Sequence, residues 1–304
     1  MTMAVKTGSA PDPSDDPDRA PSGPVSSTPR IGLALGGGSA RGLAHIAILE
    51  TLDELGLRPA VIAGTSMGAI CGGLYATGLP AAEMRALFLA ELRSRIAFAR
   101  RNAGRLAAGV SSLWSLRRPG AIDIVTLFEM LLPGALRCDF STLKIPFIVI
   151  AADFYAIEPV LLERGPLLPA IAASCALPHW ARPVVIDGRV LIDGGYVSPV
   201  PFDVLRGKAD VTIAVDAMSD PQRRGGASMP ALPRPSQARR GSMQLLFHSV
   251  TREKLKAAPP DILIRPAVGR FASGDFFKVE EILAAAEGAK EELKRKLAEQ
   301  LEGR

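Results

Sequence analysis

Short apolar runs, each closed by glycine or proline, alternate along this chain with stretches whose apolar residues recur at helical spacing. Residues 30–35, Arg-Ile-Gly-Leu-Ala-Leu, predict a short buried strand, and the glycine-rich loop 36–42 follows it. A helix is predicted over 43–55, with Ala44, Ala47, Ile48, Thr51, Leu52 and Leu55 on one side and Gly56 as its stop. Residues 60–63 predict a second strand, and small apolar residues from Met67 to Ala76 predict a second helix that ends at Gly78. Pro80 and Glu83 open another helix, since proline suits a first helical turn. Strand, glycine loop, helix, strand, tight turn and helix in that order open a parallel α/β sheet.

The same pattern continues downstream. Residues 145–152 and 158–163 predict strands, and 167–176 predict a helix of small residues closed by Leu177-Pro178. Residues 184–192 predict a hairpin, because Asp187-Gly188 between two β-branched runs favours a type I′ turn. Further strands are predicted at 211–215 and 261–264, before a C-terminal helix over 278–302 with Leu293, Leu297 and Leu301 on its apolar face.

Three segments break the pattern. Residues 1–29 are rich in Pro, Ser, Asp and Gly and predict a disordered tail, which leaves 30–304 as one domain. Residues 93–120 form a basic, cap-like segment: arginines 93, 95, 100, 101, 105, 117 and 118 occur with no acidic residue between Leu92 and Ile122. Leu106, Val110, Leu113 and Trp114 share one helical face there, which suits a solvated basic helix and a lipid contact equally. Residues 219–242, rich in Pro, Gly, Arg and Ser, predict a mobile loop.

Composition narrows the class. An apolar share of 48% supports a sizeable core, and with aromatics at 5% aliphatic residues and alanine must fill it. A net charge of +5 and a pI near 9.3 favour an anionic partner. No nucleic-acid-binding signature accompanies the charge, so an anionic membrane suits it at least as well. Cys71, Cys138 and Cys175 are odd in number and far apart, which fits neither a disulfide framework nor a C-x-x-C metal site. The N-terminus lacks an apolar signal core and carries Asp12, Asp15, Asp16 and Asp18. No run approaches the roughly 20 apolar residues of a membrane span. The expectation is a cytoplasmic protein, at most peripheral on the inner membrane face, with no metal and no cofactor.

The candidate chemistry centres on Gly64-Thr65-Ser66-Met67-Gly68, which matches the nucleophile elbow G-x-S-x-G. A sharp strand-to-helix turn exposes one hydroxyl, and the flanking glycines let neighbouring backbone pass close by. The loop Gly36-Gly-Gly-Ser-Ala-Arg-Gly42 lacks the spacing of a dinucleotide fingerprint, and no acidic residue closes the second strand to hold a ribose. No G-K-[ST] follows it either. It does suit an oxyanion hole, with backbone N–H groups at a helix N-terminus. Arg41 either adds charge there or orders the loop. A nucleophilic serine also needs a base. His45, His179 and His248 stand in no recognisable catalytic setting. Asp193 ends an apolar strand and is followed by Gly194 and Gly195, which places it at the mouth of a sheet with room for a hydroxyl.

Together the glycine loop, the elbow, Asp193-Gly-Gly195 and the stretch Ala173-Ser-Cys-Ala-Leu-Pro178 with Arg182-Pro-Val184 resemble the patatin-like phospholipase family, its short bacterial members most of all. The resemblance covers about residues 30 to 300. It implies a three-layer α/β/α fold with a mostly parallel central sheet, and hydrolysis of phospholipid or lysophospholipid esters without metal. It also implies a Ser66–Asp193 dyad, an acyl-enzyme, and oxyanion donors at Gly37, Gly38 and Ser39. Ser39 departs from the family's further glycine, which matters only if that position needs a positive φ. A regulatory or scaffolding protein on the same fold is the second reading, and retention of both Ser66 and Asp193 opposes it. A Ser-His-Asp hydrolase is a third, opposed by the want of a histidine in a suitable loop after Asp193.

Overall fold

The computed structural model describes residues 29–96, 98–100, 123–178, 180–218, 232 and 234–302. In chain order the strands are β1 (Ile31–Leu35), β2 (Val61–Thr65), β3 (Phe147–Asp153) and β4 (Glu158–Leu162). Then come β5 (Val184–Ile186), β6 (Arg189–Asp193), β7 (Val211–Val215) and β8 (Ile262–Ile264). The helices are α1 (His45–Glu54), α2 (Met67–Ala76), α3 (Ala81–Leu92), α4 (Ile124–Leu131) and α5 (Leu167–Ser174). A long α6 (Pro235–Ala257), α7 (Val279–Ala286) and α8 (Gly288–Glu302) complete the described set.

All eight strands join one sheet. β3, β2, β1, β7 and β8 lie side by side and parallel, while β4, β5 and β6 join antiparallel. Every residue of β1, β2 and β3 is buried. Strands covered on both faces read as unbroken apolar runs, which is why these were visible without alternation.

The register of β3 fixes the site. Along one edge, β4 pairs with residues 149–153 of β3. The other edge is shared. β2 occupies it up to the pair Thr65↔Ile150, and β6 occupies it from Ala151↔Asp193 onward. Two strands therefore meet head-on along one edge of β3, and the residues at their meeting point are Ser66 and Asp193.

Helices cover both faces. Leu33, Leu35, Ile62 and Val149 pack one face into a core with Leu52 of α1, Leu74 of α2, Ile282 of α7 and Leu293 of α8. On the other face Ala34, Ala63, Ile148 and Ile150 meet Val200, Phe202 and Leu205, with Leu255 of α6 packed against them. Ala172 and Ala173 of α5 close over Ala151, Val184 and Leu191 in a third cluster. The result is a mixed, mostly parallel sheet flanked by helices, as the sequence predicted.

Four details differ from the sequence reading. The first helix begins as a 3-10 turn, Ser39–Ala44, and becomes α-helical only at His45. The C-terminal helix is two helices, α7 and α8, divided where Gly288 lowers helix propensity. α4 was not anticipated; Asp123 caps it by accepting from the amides of Val125 (3.1 Å) and Thr126 (3.2 Å). Residues 235–242, taken as part of a loop, belong to α6, which opens on Pro235 as proline's fixed φ allows. The rest of the predicted loop, apart from residues 232 and 234, lies outside the described residues, as do the tail up to residue 28 and residues 101–122 of the cap-like segment. Of that segment's arginines, Arg93 pairs with Glu280 at 3.0 Å and Arg95 lies 5.3 Å from the Phe277 ring centroid, and both remain exposed.

Candidate active site

Ser66 sits between β2 and α2 with φ 53 and ψ −119. A non-glycine residue in that region is strained and needs its surroundings to hold it. Two bonds do so. The Ser66 amide donates to Ser174 Oγ at 2.9 Å, and that hydroxyl donates to the Ile150 carbonyl at 2.5 Å. The Ser66 carbonyl accepts from Ala69 (2.8 Å) and Ile70 (3.2 Å), which starts α2 directly behind the hydroxyl. The elbow glycines are required by contact. A Cβ on Gly68 would lie 2.1 Å from the Leu35 carbonyl oxygen, and one on Gly64 would lie 2.6 Å from that of Gly68.

Asp193 is 1% exposed. Its Oδ1 accepts from the Gly195 amide at 2.7 Å. Its Oδ2 is buried and makes no hydrogen bond of normal geometry with any described residue. Burial raises the carboxyl from its ordinary 3.8 to about 7, against the opposing pull of the Gly195 amide and the nearby Ser66 hydroxyl. Gly194 must be glycine, since a Cβ there would lie 2.2 Å from the Ile150 carbonyl oxygen at the strand junction.

The glycine loop faces Ser66: a Cβ built on Gly37 would lie 3.6 Å from Ser66 Cβ. The Gly37 amide, however, is already committed to the Pro199 carbonyl at 2.8 Å. Gly37 therefore shapes the loop and does not offer the N–H expected of it. The amides of Gly38 and Ser39 have no hydrogen-bond partner among the described residues. Ser39 has φ 50, so the departure from glycine falls where a side chain is strained.

Arg41 is 5% exposed and donates from Nη1 to the Met218 carbonyl at 2.9 Å, with Nε buried and unpartnered among the described residues. Burial lowers its pKa and attraction to Asp216 opposes the fall. That bond ties the loop to the segment that follows β7.

His45 is not placed as a base. His45 is fully buried with Nε2 2.7 Å from the Gly36 carbonyl, and burial lowers its pKa to about 4. It holds the glycine loop as a neutral ring. His248 lies on α6, and residue 179 is outside the described set. Among the described residues no group of three His, Cys, Asp or Glu is arranged to hold a metal.

Sequence reasoning missed the surroundings. Ser174 lies within the Ala-Ser-Cys-Ala-Leu-Pro stretch, yet nothing local says that its hydroxyl holds the elbow. Met243 and Phe247 of α6 line the cleft together with Leu177 and Met218, and the Phe247 ring meets Tyr196 edge-on at 5.2 Å. The Cys175 thiol is also close, and burial together with Asp193 pushes its pKa well above the ordinary range, so it stays protonated.

The family model described as Patatin-like phospholipase matches residues 33–206. An uncharacterized NTE family protein of Mycobacterium tuberculosis is 39% identical over 191 residues, which is 62% of this chain and 49% of that protein. Lysophospholipase NTE1 of Saccharomyces cerevisiae is 28% identical over 278 residues, 83% of this chain and 16% of its own length. The chain thus spans about half, or less, of the curated relatives it matches. Among solved structures, VipD from Legionella pneumophila aligns with TM-score 0.45 and 13% identity, over 90% of this chain and 66% of that one. No described helix is long and apolar enough to cross a membrane. With its family match running from β1 past the Asp-Gly-Gly motif, this chain belongs to the patatin-like phospholipase family.

Proposed function

We propose that the protein is a serine acyl hydrolase acting on carboxylic esters of phospholipid or lysophospholipid, with Ser66 as nucleophile and Asp193 as base. One observation carries the reading. A strained serine at a helix N-terminus meets a buried aspartate whose Oδ2 lacks a partner among the described residues, where two strands abut on one edge of β3. Family membership and the lysophospholipase name of one relative support the lipid class of substrate.

In the proposed reaction the ionised Asp193 takes the Ser66 proton as Oγ bonds to the ester carbonyl carbon. The carbonyl π pair moves onto oxygen, and the amides of Gly38 and Ser39 receive the oxyanion, helped by the N-terminal end of α2. Collapse breaks the ester C–O bond, and Asp193 returns its proton to the leaving alcohol. Water then attacks the acyl-serine, again passing a proton to Asp193. The fatty acid leaves and Ser66 regains its hydrogen.

Labelling with a fluorophosphonate probe tests the nucleophile. Wild type is expected to label and Ser66→Ala to lose both label and hydrolysis of p-nitrophenyl esters while keeping its circular dichroism spectrum. A folded Ser66→Ala protein that still hydrolyses esters at the wild-type rate refutes the assignment.

A further inference from the structure

The sheet end that carries Ser66 also bears apolar side chains that the fold leaves in solvent. β3 runs past the level of Asp193 and turns over into β4 through residues 154–157, roughly 10 Å beyond the strand junction at the usual rise per residue. Phe154 is 52% exposed, Tyr155 77% and Ile157 84%. Two more exposed apolar side chains belong to the same end. Trp180 donates its amide to the carbonyl of Leu177, a wall of the catalytic cleft, at 3.1 Å. Val185 pairs with Val190, whose carbonyl in turn holds the Phe154 amide at 2.9 Å.

This turn is built, not loose. Asp153 Oδ1 accepts from the amides of Tyr155 and Ala156, both at 3.0 Å, and the Asp153 carbonyl accepts from Ile157 at 3.0 Å. The Phe154 and Tyr155 rings meet edge-on at 5.2 Å. Ile157 has φ 57, a region where glycine or asparagine rests easily and a β-branched residue does not. A strained isoleucine that points into water serves no packing purpose.

The charges around the turn decide what it fits. Arg189 lies 3.3 Å from Glu158 and 4.0 Å from Asp153, and Arg182 and Asp187 are both exposed, so the cations at this end do not outnumber the carboxylates. An aromatic, amphipathic rim without an excess of cations suits the zwitterionic headgroup layer, where Trp and Tyr sit with apolar body inward and polar tip in water.

We propose that the 154–157 turn, with Trp180 and Val185, is a docking wedge that seats the mouth of the active site on a zwitterionic phospholipid bilayer. The proposal rests on the lipid-hydrolase reading above, and its test separates the two. Trp114→Phe leaves Trp180 as the sole tryptophan of the full chain. Phosphatidylcholine vesicles with brominated acyl chains are expected to quench it, and binding is expected to persist in about 1 M NaCl, where the screening length falls to about 3 Å. The triple variant F154S/Y155S/I157S is expected to lose about tenfold in vesicle partitioning and in turnover of vesicular phosphatidylcholine, on the scale of large apolar groups removed from an interface. Its hydrolysis of a soluble p-nitrophenyl ester is expected to stay at the wild-type rate. Ile157→Gly, which relieves the backbone, is expected to keep or raise the melting temperature and still weaken partitioning.

Unchanged partitioning by the triple variant, an unquenched Trp180, or a dimer that the triple variant splits in sedimentation would each overturn the wedge. So would an equal loss on the soluble ester. A wild-type protein inactive on every ester defeats the hydrolase reading, and vesicle partitioning alone then decides the wedge.

Discussion

At the scale of single residues, Asp193 carries opposed demands. Its site is dry enough to raise the carboxyl to about 7, and the proposed chemistry needs it ionised. kcat/KM on a soluble ester is therefore expected to rise with pH and level off above about 7. His45→Gln should leave that limb in place, because burial already holds His45 down at about 4. The stability effect has the opposite sign. Between about 4 and 7 the folded protein holds a proton on Asp193 that the unfolded chain has released, so stability falls as pH rises through that window. Asp193→Asn removes the buried charge. It is expected to cost 10² to 10⁴ in rate, roughly the scale of general-base catalysis, and to melt higher than wild type at pH 8. That gain should vanish toward pH 4, where wild-type Asp193 is already neutral. An aspartate kept for structure would instead leave a less stable protein when replaced, so paired melting curves at the two pH values distinguish the cases.

At the scale of elements, backbone approach governs the loops. Gly38 sits where a Cβ would lie 3.0 Å from the Gly42 amide nitrogen and 3.1 Å from Ala217 Cβ. Gly38→Val is expected to abolish turnover by displacing the free amides that would hold the oxyanion. Ser39→Gly makes the converse test: with φ 50 at this position, glycine should stabilise by up to about 1 kcal/mol and keep activity. Urea unfolding and ester turnover check both variants. Much of this was legible beforehand. The buried parallel strands read as apolar runs, the Asp187-Gly188 turn read as a hairpin, and G-x-S-x-G read as an elbow. What stayed hidden depended on partners distant in the chain. The Gly37 amide is taken by Pro199, the Ser66 amide by Ser174, and the cleft is closed by Phe247. Periodicity tells which face of an element is buried, and it does not tell what lies against that face. α6 was misread for a related reason: its Pro, Ser and Gly residues carry weak helical preference, and tertiary packing around Phe247 and Leu255 supplies the rest.

At the scale of the whole molecule, the helical layer opposite α6 is fastened by charge as well as by apolar packing. Glu50 of α1 accepts from Arg85 of α3 at 2.5 and 2.7 Å and pairs with Lys290 of α8 at 2.7 Å. Glu287, between α7 and α8, closes the ring on Arg85 at 2.6 Å and on Lys290 at 3.2 Å. Against the upward push of burial, hydrogen bonds from Arg85 and Lys290 hold the Glu50 carboxyl below its ordinary range. The Glu50 side chain is only 11% exposed, so removing it leaves two cations partly buried without their anion. Glu50→Ala is expected to destabilise by about 2–3 kcal/mol, below the loss for a fully buried pair because Arg85 still reaches water. The exposed Arg295–Glu299 pair, 60% open at both ends, is the internal control, and Glu299→Ala should change stability by no more than about 0.5 kcal/mol. Neither residue lines the catalytic cleft, so both variants should keep wild-type kcat/KM below their melting temperatures. Urea unfolding with matched slopes measures the two differences. Equal small losses for Glu50→Ala and Glu299→Ala would mean that apolar packing alone holds the helices, and that the ring of charges is ornament on the layer's rim.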